Sequence, residues 1–276
     1  MVTPHTMTHS SASYSPLRRL VARYPITAFL LLAFAGSWTS LTPLLLSKNG
    51  LGMLPLELPV TVFIALASFV GLALPAFLVT AATDGKAGVL DLLHRSLRWR
   101  VGVQWYLIAL LGTFIGVIVA AVPFAGTLPL QMVARKWELL VTVFVPGVLV
   151  PFLLINLPEE VGWTGFVQSK LQARHGPVLA SLMVALPFAL IHLPAYFVTG
   201  WISDEKLPLP SVLLLVGLTA VFAVFLRLLI MRLYNGSGGS ILIVALFHSA
   251  FNLSTGQQIT PEVIVGVNPS VLNMLA

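Results

Sequence analysis

Long apolar runs separated by short polar stretches dominate this chain. A helix needs about 20 apolar residues to cross a bilayer, and runs of that order recur along the sequence. The segment 260–276 is a candidate for an eighth span, although Pro261 and Pro269 interrupt it. The seven predicted spans are 25–46, 59–82, 104–125, 138–157, 178–199, 211–231 and 240–254. The predicted fold class is therefore all-α, a polytopic bundle of about seven or eight transmembrane helices.

Polar segments divide the chain further. Residues 84–103 and 159–177 are too polar to cross a bilayer, and we expect them to lie at the membrane interface as amphipathic segments. Residues 1–17 are rich in Ser, Thr and His and are predicted to be a disordered tail. No linker separates two domains, so the remainder is one integral membrane domain with N-terminal helices in 18–137 and a C-terminal helix core in 138–276.

Composition agrees with a membrane protein and excludes several other classes. Hydrophobic residues make up 58% and charged residues 9% of the chain, whereas soluble domains carry about 25% charged residues. The absence of cysteine excludes disulfides, iron–sulfur clusters and thiolate zinc sites. The net charge of +6 does not indicate nucleic acid, because the basic residues cluster at the ends of the apolar runs. The predicted partner is therefore the lipid bilayer.

The distribution of Lys and Arg predicts the orientation. Cytoplasmic segments of membrane proteins carry an excess of these residues. With a cytoplasmic N-terminus, eleven basic residues lie inside and four outside. The inside set is Arg18, Arg19, Arg23, Lys86, Arg95, Arg98, Arg100, Lys170, Arg174, Arg227 and Arg232, and the outside set is Lys48, Arg135, Lys136 and Lys206. We expect a multi-pass protein of the cell membrane with its N-terminus in the cytoplasm.

Two adjacent carboxylates are the first candidate functional groups. Glu159 and Glu160 follow the fourth predicted span in a chain with only nine acidic residues. An ionised carboxylate at the bilayer centre costs about 2.5–3.5 kcal/mol on insertion scales, so such residues are functional candidates by default. A carboxylate in a sheltered pocket suits a general base. The predicted topology places both glutamates at the cytoplasmic end of their span.

Three further polar residues lie inside apolar sequence. His192 and His248 interrupt two other spans, and Asn252 follows His248 by four residues, which places both on one helix face. We expect these three side chains and the two glutamates to line one cavity that opens to the cytoplasm. A structural alternative remains, in which the polar span residues only bond neighbouring helices and the glutamates are surface acids.

These residues resemble the motifs of the CPBP family of intramembrane proteases. The family includes the type II CAAX prenyl endopeptidases and the bacterial Abi-type and lysostaphin-resistance-like proteins. The resemblance covers about 141–254 and rests on three motifs in order. They are Glu159-Glu160-x-x-Trp163-x-Gly165-Phe166, Phe188-x-x-x-His192 and His248-x-x-x-Asn252.

The resemblance implies an intramembrane endopeptidase that hydrolyses a peptide bond of a membrane-associated peptide or protein with a glutamate-activated water. It implies that Glu159 is the general base, that His192 positions the water and that Glu160 tunes its neighbour. His248 and Asn252 would donate hydrogen bonds to the oxyanion. The segment 138–276 would then be the catalytic core.

Other functions remain open beside this one. We expect no cofactor, but zinc is an alternative because two imidazoles and a carboxylate form the ligand set of many catalytic zinc sites. A second alternative is a catalytically weak immunity or interaction protein of the membrane. A proton-coupled transporter is disfavoured, because the sequence has no inverted repeat and both glutamates lie at one membrane face.

One position departs from the family pattern. The first motif usually runs EExxxR, and here Thr164 stands at the arginine position. We expect either that another cation, such as Lys170 or Arg174, replaces the arginine or that the second glutamate stays protonated.

Overall fold

The computed structural model describes residues 15–138, 140–201 and 203–255, and helices account for nearly all of this part. A short 3₁₀ segment, Leu193–Phe197, follows the helix Pro177–Ile191. In chain order the helices are α1 Pro16–Arg23, α2 Pro25–Leu46, α3 Val60–Ser96, α4 Val103–Ala125, α5 Leu128–Arg135, α6 Val141–His175, α7 Pro177–Ile191, α8 Leu209–Gly236 and α9 Ile241–Thr255.

The predicted fold class is confirmed. Within the described residues six helices are long and apolar enough to cross a membrane, namely α2, α3, α4, α6, α7 and α8. The seventh predicted span corresponds to α9, which is apolar but only 15 residues long. The candidate eighth span, 260–276, lies outside the described residues. The protein is therefore an all-α polytopic bundle.

The first half of the polar stretch 159–177 lies inside the bundle, so the prediction of an interfacial segment was wrong for these residues. An amphipathic interfacial helix exposes one face to water, yet every residue of Val161–Gln168 is buried. Its polar side chains find partners inside the bundle: Thr164 donates to Glu160, and the Gln168 Nε2 donates to the Ser181 Oγ at 3.2 Å. The stretch is thus an interior part of α6, which runs on without a break to His175.

The other polar segments also differ in detail from the prediction. Residues up to Ser96 complete α3, which bends at Gly85 where φ is 67° and ψ is −160°. A side chain other than glycine is strained at such an angle. At the N-terminus α1 begins at Pro16, just inside the predicted tail, while residues 1–14 lie outside the described residues. The proposed division at 138 stays a prediction.

The helices next to the glutamates contain wide π-helical turns. One lies in α3 at Phe69–Ala73. Three lie at or in α6, at Leu140–Phe144, Phe152–Asn156 and Val161–Gln168, and the last two flank Leu157–Glu160. Such turns are rare and concentrate at functional sites, because they change the direction in which the following side chains point. The backbone geometry therefore singles out the same part of α6 as the carboxylates do.

Close packing of α2 against α3 and α6 positions this part of the bundle. A Cβ atom built on Gly71 would lie 2.6 Å from the Ser37 backbone nitrogen, so α2 and α3 approach each other only because position 71 has no side chain. Small residues allow the same close approach in many membrane helices. Phe29 of α2 packs against Trp163 and Phe166 of α6, with ring centroids 5.9 Å and 5.1 Å apart.

We expect Gly71→Ala to destabilise the protein by about 1–3 kcal/mol, the usual cost of an overpacked interior. The matched control is Gly116→Ala in α4, where an added Cβ would meet nothing within 4 Å. This control should leave stability unchanged or raise it by up to about 1 kcal/mol through better helix propensity. Unfolding in detergent measures both variants, and equal stability of the two would contradict the packing described above.

Candidate active site

A buried ion pair lies at the centre of the candidate site. Glu160 of α6 is 0% exposed and Arg227 of α8 is 1% exposed. The guanidinium donates two parallel hydrogen bonds, from Nη2 to Oε1 at 2.8 Å and from Nη1 to Oε2 at 2.9 Å. This bidentate geometry is the strongest that an arginine and a carboxylate adopt. The pair ties α8 to α6 inside the bundle.

Two further donors complete the Glu160 carboxylate. The His248 Nδ1 of α9 lies 2.8 Å from Oε1, and the Thr164 hydroxyl donates to Oε2. Each oxygen therefore accepts two hydrogen bonds. A buried ion pair offsets the cost of desolvation only when such additional bonds are present. Because all of its acceptor positions in this plane are used, Glu160 offers no free oxygen to a reactant.

The environment predicted for Arg227 was wrong. This arginine was expected among the cytoplasmic residues, but it belongs to α8, and its side chain is buried in the bundle and stacks on the Phe188 ring, with 4.4 Å between the guanidinium carbon and the ring centroid. A signal was present, because position 227 falls within the predicted span 211–231, and an arginine inside a span requires an interior partner.

Arg227 also explains how the chain does without the arginine that the family motif has at the position of Thr164. The expected substitutes do not contact the glutamates: Lys170 pairs with Asp84 at 2.8 Å, and Arg174 is exposed. Instead the Arg227 Nη1 lies 3.4 Å from the Thr164 Oγ1. The cation that the family motif carries one turn after the second glutamate is thus supplied here by another helix.

Glu159 has a different environment from its neighbour. Its carboxylate lines a small cavity of about 40 Å³ together with Ser68 and His192. Its contacts are weak: the Ser68 hydroxyl, which also donates to the Ile64 carbonyl at 3.0 Å, lies 3.4 Å from Oε1, and the His248 Nδ1 lies 3.8 Å from Oε2. A water needs about 10–15 Å³ of such space, so the cavity has room for about three waters beside a carboxylate with free acceptor positions.

His192 contributes a second acceptor to this cavity. It follows the last residue of α7, and its Nδ1 lies 2.7 Å from the Phe188 carbonyl oxygen. Because a carbonyl only accepts, Nδ1 carries the proton, and the Nε2 of the neutral ring is an acceptor. The main-chain carbonyl therefore fixes both the tautomer and the orientation of the ring.

The Phe188 ring packs against three side chains of the site, those of His192, His248 and Arg227. Its centroid lies 4.9 Å from the His192 ring and 5.8 Å from the His248 ring, and it also carries the stacked guanidinium of Arg227. Trp163 packs edge-on against it, with 6.1 Å between the ring centroids. One apolar side chain thus connects α6, α7, α8 and α9 around the carboxylates.

The structure brings four of the five predicted site residues close together. Glu159, Glu160 and His248 form one cluster, and His192 shares the cavity of Glu159. Asn252 is exposed on α9, and no hydrogen bond within the described residues joins its amide to the cluster. Its role as an oxyanion donor stays a prediction.

The zinc alternative depends on how the ligand side chains of this site are placed. Within the described part of the chain no three His, Asp or Glu side chains are placed to hold a metal ion together. The His248 Nδ1 and both Glu160 oxygens are engaged with each other and with Arg227. The Glu159 carboxylate, the His192 Nε2 and the His248 Nε2 remain, which is the ligand set of the zinc alternative, so that alternative stays a prediction.

Removal of the buried cation tests the ion pair. We expect Arg227→Met to lower the free energy of unfolding by about 3–5 kcal/mol, because it leaves a buried carboxylate without its counter-charge. Adding Thr164→Arg to this variant returns a cation beside Glu160, into the space that the guanidinium leaves, and should restore most of the loss. Thermal unfolding in detergent measures both. A double variant no more stable than Arg227→Met would contradict this account of position 164.

The part of the chain that holds this site resembles a known protein family. A search of functionally characterised proteins gave no match. Residues 137–254 match the family described as type II CAAX prenyl endopeptidase Rce1-like. This range contains both glutamates, both histidines of the cluster, Asn252 and Arg227. This match supports the assignment of the helix core to the CAAX endopeptidase-like (CPBP) family of membrane proteases.

Proposed function

We propose that this protein is an intramembrane endopeptidase that hydrolyses a peptide bond of a membrane-associated peptide or protein with a water activated by Glu159. The observation that carries the proposal is the unequal use of two adjacent carboxylates. Glu160 is saturated by Arg227, His248 and Thr164, whereas Glu159 faces a water-sized cavity with acceptor positions free. A general base must be able to reach the proton that it removes, and only Glu159 meets this condition.

Two acceptors that share a cavity can orient one water. The water donates one hydrogen to the Glu159 carboxylate and the other to the His192 Nε2, so that an oxygen lone pair points into the cavity. Glu159 takes the proton as the oxygen bonds to the substrate carbonyl carbon, and the carbonyl electrons move onto its oxygen. When the tetrahedral intermediate collapses, the C–N bond breaks and Glu159 returns the proton to the leaving nitrogen.

The developing oxyanion requires donors. His248 lies 3.8 Å from Glu159 through its Nδ1 and can donate from Nε2 only when both ring nitrogens carry protons. Asn252, one turn further along α9, is the second candidate through its amide nitrogen. One such donor contributes about 2.7–4 kcal/mol to catalysis in enzymes where it has been removed.

Glu160 and Arg227 act through other residues in this proposal. Glu160 accepts the His248 Nδ1 hydrogen bond and so fixes the ring, while Arg227 holds Glu160 and compensates its charge. The pair positions the reacting groups. This role explains why the chain, which has no arginine at position 164, still has an arginine bonded to the Glu160 carboxylate.

A membrane interaction or immunity protein is the alternative from a different class. In that case the polar cluster serves only to hold the helices together, and the chemistry of Glu159 is unimportant. The two functions differ in what they require at this position: a protease needs a carboxylate that accepts a proton, and a structural cluster needs only the hydrogen bonds.

Glu159→Gln separates the two functions. The amide keeps the size and the hydrogen bonding of the side chain but cannot act as a base, so peptide cleavage should fall by about 10²–10⁴-fold while the protein remains folded. The matched control is Glu138→Gln at an exposed position before α6, which should cleave normally. Cleavage of a library of membrane peptides by purified protein, read by mass spectrometry, is the measurement.

Two results would contradict the proposal. One is full cleavage by Glu159→Gln, which would assign the base to another group. The other is absence of cleavage by the wild type on every peptide, accompanied by equal biological activity of both variants, which would favour the interaction protein.

Chelation gives a second test of the mechanism. A water activated by a carboxylate requires no metal, so dialysis against a strong zinc chelator should leave the rate of peptide cleavage unchanged. Loss of activity that added zinc restores would show a metal-dependent protease instead.

A further inference from the structure

Asn156 of α6 is a buried polar residue that the mechanism above does not use. Its side chain is 1% exposed, and neither its Nδ2 nor its Oδ1 has a hydrogen-bond partner within the described residues. We propose that the Asn156 carboxamide belongs to the reaction site and donates a hydrogen bond from Nδ2 to the substrate carbonyl oxygen while that oxygen becomes negatively charged. The proposal deepens the proposed function and rests on it.

The free carboxamide of Asn156 is unfavourable for the fold. Most buried polar groups in proteins are hydrogen-bonded, and one that is not costs stability. In the described part of the chain, Asn156 leaves both a donor and an acceptor unused, whereas the other buried side-chain atoms without a partner occur singly. These others are Thr113 Oγ1, Trp163 Nε1, Gln168 Oε1 and Arg227 Nε. An apolar side chain of the same shape would avoid this cost, so packing does not explain why a carboxamide stands here.

The direction of the Asn156 side chain follows from its spacing to the two glutamates. Leu157–Glu160 is regular α-helix, and Asn156 has helical backbone angles, with φ −73° and ψ −33°. At 3.6 residues per turn, Asn156 lies about 60° from Glu159 and about 40° from Glu160 around the helix axis, between the two. His248 also lies between the carboxylates, since its Nδ1 is 2.8 Å from Glu160 and 3.8 Å from Glu159. Asn156 therefore faces the same sector as His248.

Contacts between α6 and α9 place Asn156 at the level of His248. Before it along α6, the Ser249 Oγ donates to the Val148 carbonyl at 2.7 Å, and after it the His248 Nδ1 meets the Glu160 Oε1. The π-helical turn that ends at Asn156 packs against both α9 and the first part of α3. Asn156 thus lies between two attachments of α6 to α9, next to the turn that carries His248.

Asn156 is adjacent to the cavity of Glu159 but does not line it. Its neighbour Ile155 packs in one apolar cluster with Ile64 and Ala67, which are wall residues of that cavity. A cavity of about 40 Å³ does not hold a peptide, because pockets for small-molecule ligands already measure about 300–1,000 Å³. The substrate carbonyl therefore meets Asn156 in an open form of the bundle.

The carboxamide has the chemistry that a developing oxyanion requires. His248 donates from Nε2 only when both ring nitrogens carry protons, and Asn252 is exposed on α9. The Asn156 Nδ2 always carries two hydrogens, and burial in the packed interior fixes its position in advance. Donors that are already in place stabilise an oxyanion without a cost of reorganisation. Asn156 transfers no proton, because it only donates a hydrogen bond as the carbonyl electrons move onto the oxygen.

The two unused atoms of Asn156 also indicate the chemical class of its ligand. A peptide main chain offers both a carbonyl acceptor and an N–H donor, and Nδ2 and Oδ1 together match that pair. An inorganic anion only accepts, so it would leave Oδ1 unused, and the carboxylates of Glu159 and Glu160 would repel it. Recognition of the main chain does not depend on the side chains of the substrate, so Asn156 contributes to rate rather than to sequence preference.

Replacement of Asn156 by leucine tests the proposal with two readouts. Asn156→Leu keeps the branched shape of the side chain and removes both polar atoms. We expect kcat for peptide cleavage to fall by about 10²–10³-fold, the usual effect of removing one oxyanion donor, while KM stays nearly unchanged. The melting temperature in detergent should stay the same or rise, because the free protein loses an unpartnered buried amide.

Two further variants complete the experiment. Asn156→Ala covers the case in which leucine is too large for this position, and it should lose the same factor in kcat. Gln168→Met is the matched control in the same helix, since Gln168 is also 1% exposed but donates from Nε2 to the Ser181 Oγ at 3.2 Å. This control should keep the kcat of the wild type and melt about 2–4 °C lower, the shift expected for loss of one hydrogen bond.

Three outcomes would overturn the inference: the kcat of the wild type in either Asn156 variant, a rise in KM at constant kcat, or a lower melting temperature of both Asn156 variants, which would make the amide a structural group. In each case Glu159→Gln would still be inactive, so the proposed protease would stand without Asn156. Failure of the proposed function differs, because the wild type would then cleave no peptide, and the role of Asn156 would be refuted with it.

Discussion

One buried ion pair holds the candidate site together. The carboxylate of Glu160 and the guanidinium of Arg227 are both removed from solvent, and each would be unstable in the bundle without the other. Through its hydrogen bonds Glu160 also fixes His248 and Thr164, so this pair connects α6, α8 and α9. Because its oxygens are fully used, the neighbouring carboxylate is the one left available for chemistry. In the proposed mechanism the structural role of Glu160 and the reactive role of Glu159 are thus separated by one helix position.

The fold could be predicted from the sequence because a bilayer imposes a length on every span. Six apolar runs became long helices, as expected. The stretch after Glu160 was misjudged, since polarity was taken as a sign of exposure to water. Thr164 and Gln168 are polar but donate their side-chain hydrogen bonds to groups inside the protein. Only tertiary contacts distinguish these two situations, and a hydropathy pattern contains no information about them.

The candidate site was only partly predictable. Glu159, Glu160, His192 and His248 stood out because ionisable groups are rare and costly inside apolar helices. Arg227 satisfied the same criterion but was assigned to the flanking charges, since its partner is 67 residues away in the chain. The sequence also did not show in which direction each glutamate side chain points. Adjacent residues on a helix point about 100° apart, and the packing of α8 and α9 decides which of the two meets the guanidinium.

The small volume of the cavity implies that the bundle must move before a peptide can bind. At about 40 Å³ it holds a few waters, whereas pockets that enclose a small-molecule ligand measure about 300–1,000 Å³. A peptide can therefore reach Glu159 only after the segments around the cavity move apart. In enzymes that close over their substrates such movements often limit turnover. If the proposed peptidase activity holds, its rate would then depend on how readily the segments around the cavity separate.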